Sequence, residues 1–160
     1  MPKARMKDAA TVGTVRPLRA GPRGTGARLL ARVPIFEGLS GRDLRKVASL
    51  AEEVWLNAGK VVVAEGEPGD SFYVILDGRA KATRSRRTVG ELGPGDHFGE
   101  LALIDAGPRA ATVVALTTLD VVRIRRGAFR RLLLAEPRVG LKIMEQLVAW
   151  IREYASQVPA

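Results

Sequence analysis

From Val54 to Arg125 the apolar residues come in short bursts rich in Val, Ile, Phe and Tyr. Between the bursts stand Asn57-Ala58-Gly59, Gly66-Glu67-Pro68-Gly69-Asp70, Asp77-Gly78 and Gly93-Pro94-Gly95. Short runs of β-branched and aromatic residues, cut at intervals by turn formers, predict the strands of a barrel or sandwich. Helical spacing flanks this block on both sides. Ahead of it, the patch Ala27 to Arg32 reads as helical, and Leu44, Val47, Ala48 and Ala51 recur at helical intervals behind Ser40 and Asp43, which are spaced as in a capping box. Behind it, residues 127–134 predict a helix stopped at Glu136-Pro137. Pro137 suits the start of a last helix over 138–155, on which Ile143, Met144, Leu147, Val148, Ile151 and Tyr154 form an apolar stripe. Residues 1–26 contain three prolines, four glycines and few large apolar side chains, and predict a disordered tail. The expected organisation is this tail and one domain over 27–160: an N-terminal helical part (33–53), a strand-rich part (54–125) and C-terminal helices (126–155).

One segment breaks the apolar pattern with charge. In GDHFGELALIDAGPRAATV, residues 95–113, Glu100 and Arg109 stand among Phe98, Leu101, Ala102, Leu103, Ala110 and Ala111. A fold that buries this segment buries both charges, which is costly without partners. Arginine offers a planar fork suited to a phosphate, and a helical turn starting near Phe98 and Gly99 would aim backbone N–H groups at the same anion. A glutamate nine positions earlier would repel that phosphate unless it addressed another part of the ligand. A sugar hydroxyl, a donor, suits it. The implied ligand is a phosphorylated ribose; the alternative is a plain salt bridge across a turn, with AATVVAL a core strand.

FGELAL followed by PRAATV resembles the phosphate-binding cassette of cyclic nucleotide-binding domains, and the glutamate-to-arginine spacing is similar to that in regulatory subunits of cyclic AMP-dependent protein kinase. VPIFEGLS and EGEPGDSFYVILDG resemble two further patterns of that family, so the resemblance covers about residues 33–155. It implies a mainly β fold with flanking helices, an eight-stranded jelly-roll-like β-roll or double-stranded β-helix. It also implies that Glu100 takes a ribose 2′-hydroxyl, that Arg109 takes the cyclic phosphate, and that N–H groups at Ala102 and Ala110 complete the site, with Phe98, Gly99, Leu101 and Ala111 beside them. Cyclic GMP-selective members tend to carry Thr or Ser after the arginine; Ala110 there implies cyclic AMP in preference to cyclic GMP. In the family the last helix swings over the base or pairs with its copy, which makes Trp150, Ile151 and Tyr154 candidate lid residues.

Composition then removes competing chemistries. There is no cysteine and a single histidine, His97, so thiolate and multi-histidine metal sites are excluded. No serine nucleophile is spaced to partner His97, which reads as a surface or rim residue, and no catalytic group or catalytic cofactor is expected. The net charge of +9 sits mostly in residues 1–32, which carry +7, leaving +2 for the remainder. That leaves the domain without a broad basic face for DNA. No helix-turn-helix follows the last helix, so direct DNA binding is not expected. The basic tail offers a handle for an acidic partner or a plain solubilising extension. Arg84-Ser85-Arg86-Arg87 reads as a solvated hairpin tip, and Gly66, Gly69 and Asp70 as turn architecture. No run approaches a membrane span and no secretory h-region opens the chain, so a cytoplasmic protein is expected. The preference for Arg over Lys fits a GC-rich bacterial genome. Three readings stand: a cyclic AMP sensor acting on a protein partner or as a homodimer; an interaction module with a relic cassette; and a small β-roll enzyme of cupin type, which the histidine count disfavours.

Overall fold

The computed structural model describes residues 13–18, 25–100 and 107–157. Within it the strand β4 (Ser71–Asp77) carries five buried residues in succession, Ser71 to Ile75. Successive side chains of a strand point to opposite faces. Phe72 and Val74 accordingly enter one apolar cluster and Tyr73 and Ile75 another. Both faces of the sheet are covered, which is why FYVIL is an unbroken apolar run and not an alternating one.

In chain order the elements are β1 (Thr14–Pro17), α1 (Thr25–Ala31), a 3-10 turn (Pro34–Phe36), α2 (Gly41–Ser49), β2 (Ala51–Leu56), β3 (Val61–Val63), β4, β5 (Ala80–Arg84), β6 (Arg87–Leu92), β7 (His97–Phe98), β8 (Thr112–Ala115), β9 (Leu119–Arg125), α3 (Arg126–Ala135) and α4 (Pro137–Gln157). Two antiparallel sheets form the roll, ordered β1-β2-β9-β4-β7 and β3-β8-β5-β6. Between them lie Val54, Leu56, Val63, Phe98, Val113, Leu119 and Val121. The helices cover the other face of the larger sheet, where Leu30, Phe36, Val47, Phe129, Leu132 and Ile143 meet Phe72, Val74, Val122 and Ile124. Ser40 Oγ accepts from Asp43 N at 3.1 Å and starts α2 where the capping pattern places it.

The described strands number nine against the expected eight, and Thr14–Pro17, which the sequence reading placed in a disordered tail, forms one of them. Thr14–Pro17 pairs with β2, with Thr14 opposite Trp55 and Arg16 opposite Glu53. Glu53 is buried, and Arg16 meets its Oε1 through Nη2 at 2.9 Å and Nε at 3.1 Å while lying 4.6 Å over the Trp55 ring. A buried carboxylate demands a partner, and this arginine provides it. Leu18 is buried in the helical cluster, and α1 begins at Thr25, ahead of the expected boundary.

The apolar stripe of α4 divides. Val139 and Ile143 are buried and Leu147 packs beside them, whereas Met144, Val148 and Ile151 are exposed.

Candidate functional site

The turn between β3 and β4 fixes the backbone of Arg109. Gly66 N donates to Arg109 O at 2.9 Å, Arg109 N donates to Glu67 O at 2.8 Å, and Pro68 bridges Pro108. The guanidinium is buried, 3% exposed for the residue as a whole. Nη1 donates to Gly99 O at 2.9 Å and Nη2 to Ser71 O at 2.7 Å. These bonds account for two of the five N–H donors of a guanidinium. They also tie Arg109 to the start of β4 and the end of β7.

Gly99 makes room for this arrangement. Its φ is +95°, and a Cβ there would lie 2.5 Å from Arg109 Nη1 and 2.8 Å from Ser71 O. Only glycine meets both demands.

Glu100 follows, 2% exposed. Its Oε2 lies 3.3 Å from Nδ1 of His97, an ion-pair distance, and neither atom has a hydrogen-bond partner among the described residues. This overturns the expectation of a surface or rim histidine. β7 pairs with the buried strand β4, His97 opposite Val74, and the imidazole packs 5.5 Å from the Phe72 ring. Phe98 turns to the other face and stacks on Tyr73 at 5.1 Å.

Ala110 is exposed and Ala111 half-buried. Ala110 O accepts from Arg84 Nε at 3.0 Å, Ser85 N donates to Glu65 Oε2, and Glu65 N donates to Thr112 Oγ1, both at 2.9 Å. The hairpin read from sequence as a solvated tip is therefore braced against the cassette by its first arginine. Its two-residue turn has Ser85 and Arg86 at positive φ, the geometry that matches strand twist. Leu101 and Ala102 lie outside the described residues. Trp150 and Tyr154 lie on α4 with side chains outside the description, and Ile151 is exposed. The main packing of α4 is against α3 and the 3-10 turn, and Ile151 is largely exposed among the described residues.

A cavity of about 360 Å³ lies between Pro34-Ile35, the loop Pro94–His97 and Lys142, Glu145 and Gln146 of α4, with His97 in its wall. Beside Glu53, burial and then the Glu53 carboxylate push Asp120 up to about 7. Burial raises Glu52, but hydrogen bonds from Arg125 and Arg123 together with their charge outweigh it, and the carboxyl falls below its ordinary value. Among the described residues no group of three or more potential ligands could hold a metal ion, and no helix is long and apolar enough to cross a membrane.

Sequence reasoning marked Arg109 and Glu100 but missed Ser71, Arg84 and His97. A backbone carbonyl such as that of Ser71 leaves no trace in residue type.

Two sheets enclosing a core, with a rigidly held cation and a carboxylate buried beside one short strand, define a β-roll built to bind a small molecule. The chain belongs to the cyclic nucleotide-binding domain family: the model of that domain matches residues 53–136. It is 40% identical over 110 residues to a cAMP-dependent protein kinase regulatory subunit of Aspergillus niger, a match covering 65% of this chain and 26% of that protein. The chain thus spans about a quarter of the length of the curated relatives it matches. Among solved structures it is similar to the regulatory domain of Toxoplasma gondii PKA crystallised with cAMP, with TM-score 0.69, 33% identity, and coverage of 75% of this chain and 48% of that one. It is also similar to the Thermus thermophilus catabolite activator protein, with TM-score 0.73, 27% identity, and coverage of 78% and 61%. The curated relatives named are fungal, so they lend no weight to the bacterial source that arginine usage suggested.

Proposed function

We propose that this chain is a cyclic AMP sensor domain and not an enzyme: Arg109 binds the cyclic phosphate and Glu100 the ribose 2′-hydroxyl, with the backbone at Ala102 and Ala110 completing the site. The observation that carries this reading is the buried guanidinium held by Gly99 O and Ser71 O. A cation positioned at such desolvation cost is suited to an anion that brings its own hydrogen-bond acceptors. The cyclic AMP found with the Toxoplasma gondii relative supports the choice of nucleotide, as does the absence of a hydroxyl at Ala110. Because Ser71 O belongs to β4, whose Phe72 and Val74 pack with the helices, nucleotide binding can shift the populations of α3 and α4. Trp150, Ile151 and Tyr154 then serve as the lid, and the output passes to a protein partner or a second copy. The reading carries no direct DNA contact, no membrane and a cytoplasmic location.

Calorimetric titration with cyclic AMP and cyclic GMP, in parallel on Arg109→Ala, is the test. Cyclic AMP binds the native protein more tightly than cyclic GMP, and the variant loses about a hundredfold in affinity, the value of a charged hydrogen-bonded contact. Equal affinity of native protein and variant refutes the site. The exposed Leu141, Met144, Val148 and Ile151 of α4 favour a second reading, a nucleotide-independent dimerisation module. A stable dimer indifferent to cyclic AMP in sedimentation would select it.

A further inference from the structure

His97, the single histidine of the chain, is buried against the cassette, and nucleotide binding as described above gives it no part. We propose that His97 is a positioning residue, holding Glu100 for the ribose 2′-hydroxyl and making nucleotide affinity rise as pH falls. This rests on the cyclic nucleotide reading of the site and deepens it.

The geometry is short and closed. Glu100 Oε2 faces Nδ1 of His97 at 3.3 Å, the two side chains are 2% and 6% exposed, and the imidazole is fixed by strand pairing to Val74 and by the Phe72 ring. A protonated imidazole offers that carboxylate an N–H and a positive charge. A neutral ring with its proton on Nε2 sets a lone pair against the same oxygen. A neutral ring with its proton on Nδ1 still donates to the carboxylate, so protonation adds the positive charge and makes the Nδ1 donor permanent.

The sign of the pH effect follows from charge. A cyclic phosphate brings one negative charge close to Glu100, so the occupied site binds a proton on His97 more readily than the empty one. By linkage, affinity then rises as pH falls through the titration of the ring. Among the described residues, the charged groups that share the cavity wall with His97 are Asp96 on its own segment, Glu37 beside the 3-10 turn, and Lys142 and Glu145 on α4. Lys142 is committed to Pro34 O and Glu37, and β4 presents Phe72 and Val74, which do not ionise. The comparison runs between pH 5.5 and 8. Asp120, pushed up to about 7, titrates in that window. Variants at His97 leave it intact and so separate the two.

The test measures affinity of the full chain for cyclic AMP and for 2′-deoxy cyclic AMP at pH 5.5 and 8, by calorimetry, in native protein, His97→Asn and His97→Phe. Asparagine places a non-titrating amide donor where Nδ1 stands, and phenylalanine keeps the aromatic packing without a donor. Native protein prefers the 2′-hydroxyl by roughly tenfold to a hundredfold, the range for a hydrogen bond to a charged group, and binds cyclic AMP several-fold more tightly at pH 5.5. His97→Asn keeps the preference and loses the pH dependence. His97→Phe loses both while still binding nucleotide. Native-like preference and slope in His97→Phe, or one pH slope shared by all three proteins, overturns the proposal. Failure of native protein to bind either nucleotide, or undiminished binding by Arg109→Ala, overturns the cyclic nucleotide reading and this proposal with it.

Discussion

Replacing Gly99 with alanine attacks the cassette through one carbon atom. At φ +95° the new residue is strained wherever it points, at about 1–3 kcal/mol. Its Cβ would also stand 2.5 Å from Arg109 Nη1 and 2.8 Å from Ser71 O. Ser71 O belongs to a strand buried on both faces and cannot retreat, so the guanidinium must. Displacing it weakens the bonds to Gly99 O and Ser71 O, and a hydrogen bond to a charged group contributes about 1.5–3 kcal/mol. Together these predict a loss of about 3–5 kcal/mol in urea unfolding, a large share of a typical domain's stability of about 5–15 kcal/mol. Calorimetry on the surviving folded fraction should show weakened cyclic AMP binding as well. Gly66→Ala is the internal control. Its φ is +83° but nothing lies within 4 Å of the added carbon, so only the left-handed backbone penalises it, by about 1 kcal/mol. A Gly99→Ala protein no less stable than Gly66→Ala, with native affinity, would refute the view that this glycine exists to seat the arginine.

Two further outcomes test the surroundings of the site. Asp120 ionises at about 7 in the folded protein against an ordinary 3.8, so between these values the folded state holds a proton that the unfolded state has released, and stability falls as pH rises through the window. Asp120→Asn should therefore be more stable than native protein at pH 8 by about 1 kcal/mol once solvent screening of this half-exposed group is allowed for. The two should melt together near pH 4, and parallel melting curves at both pH values would refute the shift. Ser40→Ala removes the oxygen that caps α2 and should cost about 1 kcal/mol in urea unfolding without altering nucleotide affinity.

The parts of this fold that were legible in the sequence are those where residue type records a local demand. Ser40 and Asp43 announce a cap, turn formers between short β-branched runs announce strands, and Glu100 and Arg109 announce charges that a buried segment must partner. What was hidden depends on distant pairing. Thr14–Pro17 has no apolar alternation of its own and is a strand only because Glu53 and Trp55 of β2 receive Arg16. His97 resembles any polar residue ahead of a motif until β7 pairs with β4 and encloses it. The stripe on α4 reads as one face at helical spacing, yet the core reaches only as far round the helix as Val139, Ile143 and Leu147.

β1 bears on how the protein is handled. Composition invites trimming the chain at residue 27, where the text turns from Gly, Pro and Arg to ARLLAR. A protein cut there would lose the strand that covers the outer side of β2, leaving a row of unpaired N–H and C=O groups along Ala51–Leu56 open to another chain. Glu53 would lose its arginine and the helical cluster its Leu18. Such a fragment would be prone to edge-to-edge association, and a dimer observed with it would report the missing strand and not the biology of α4.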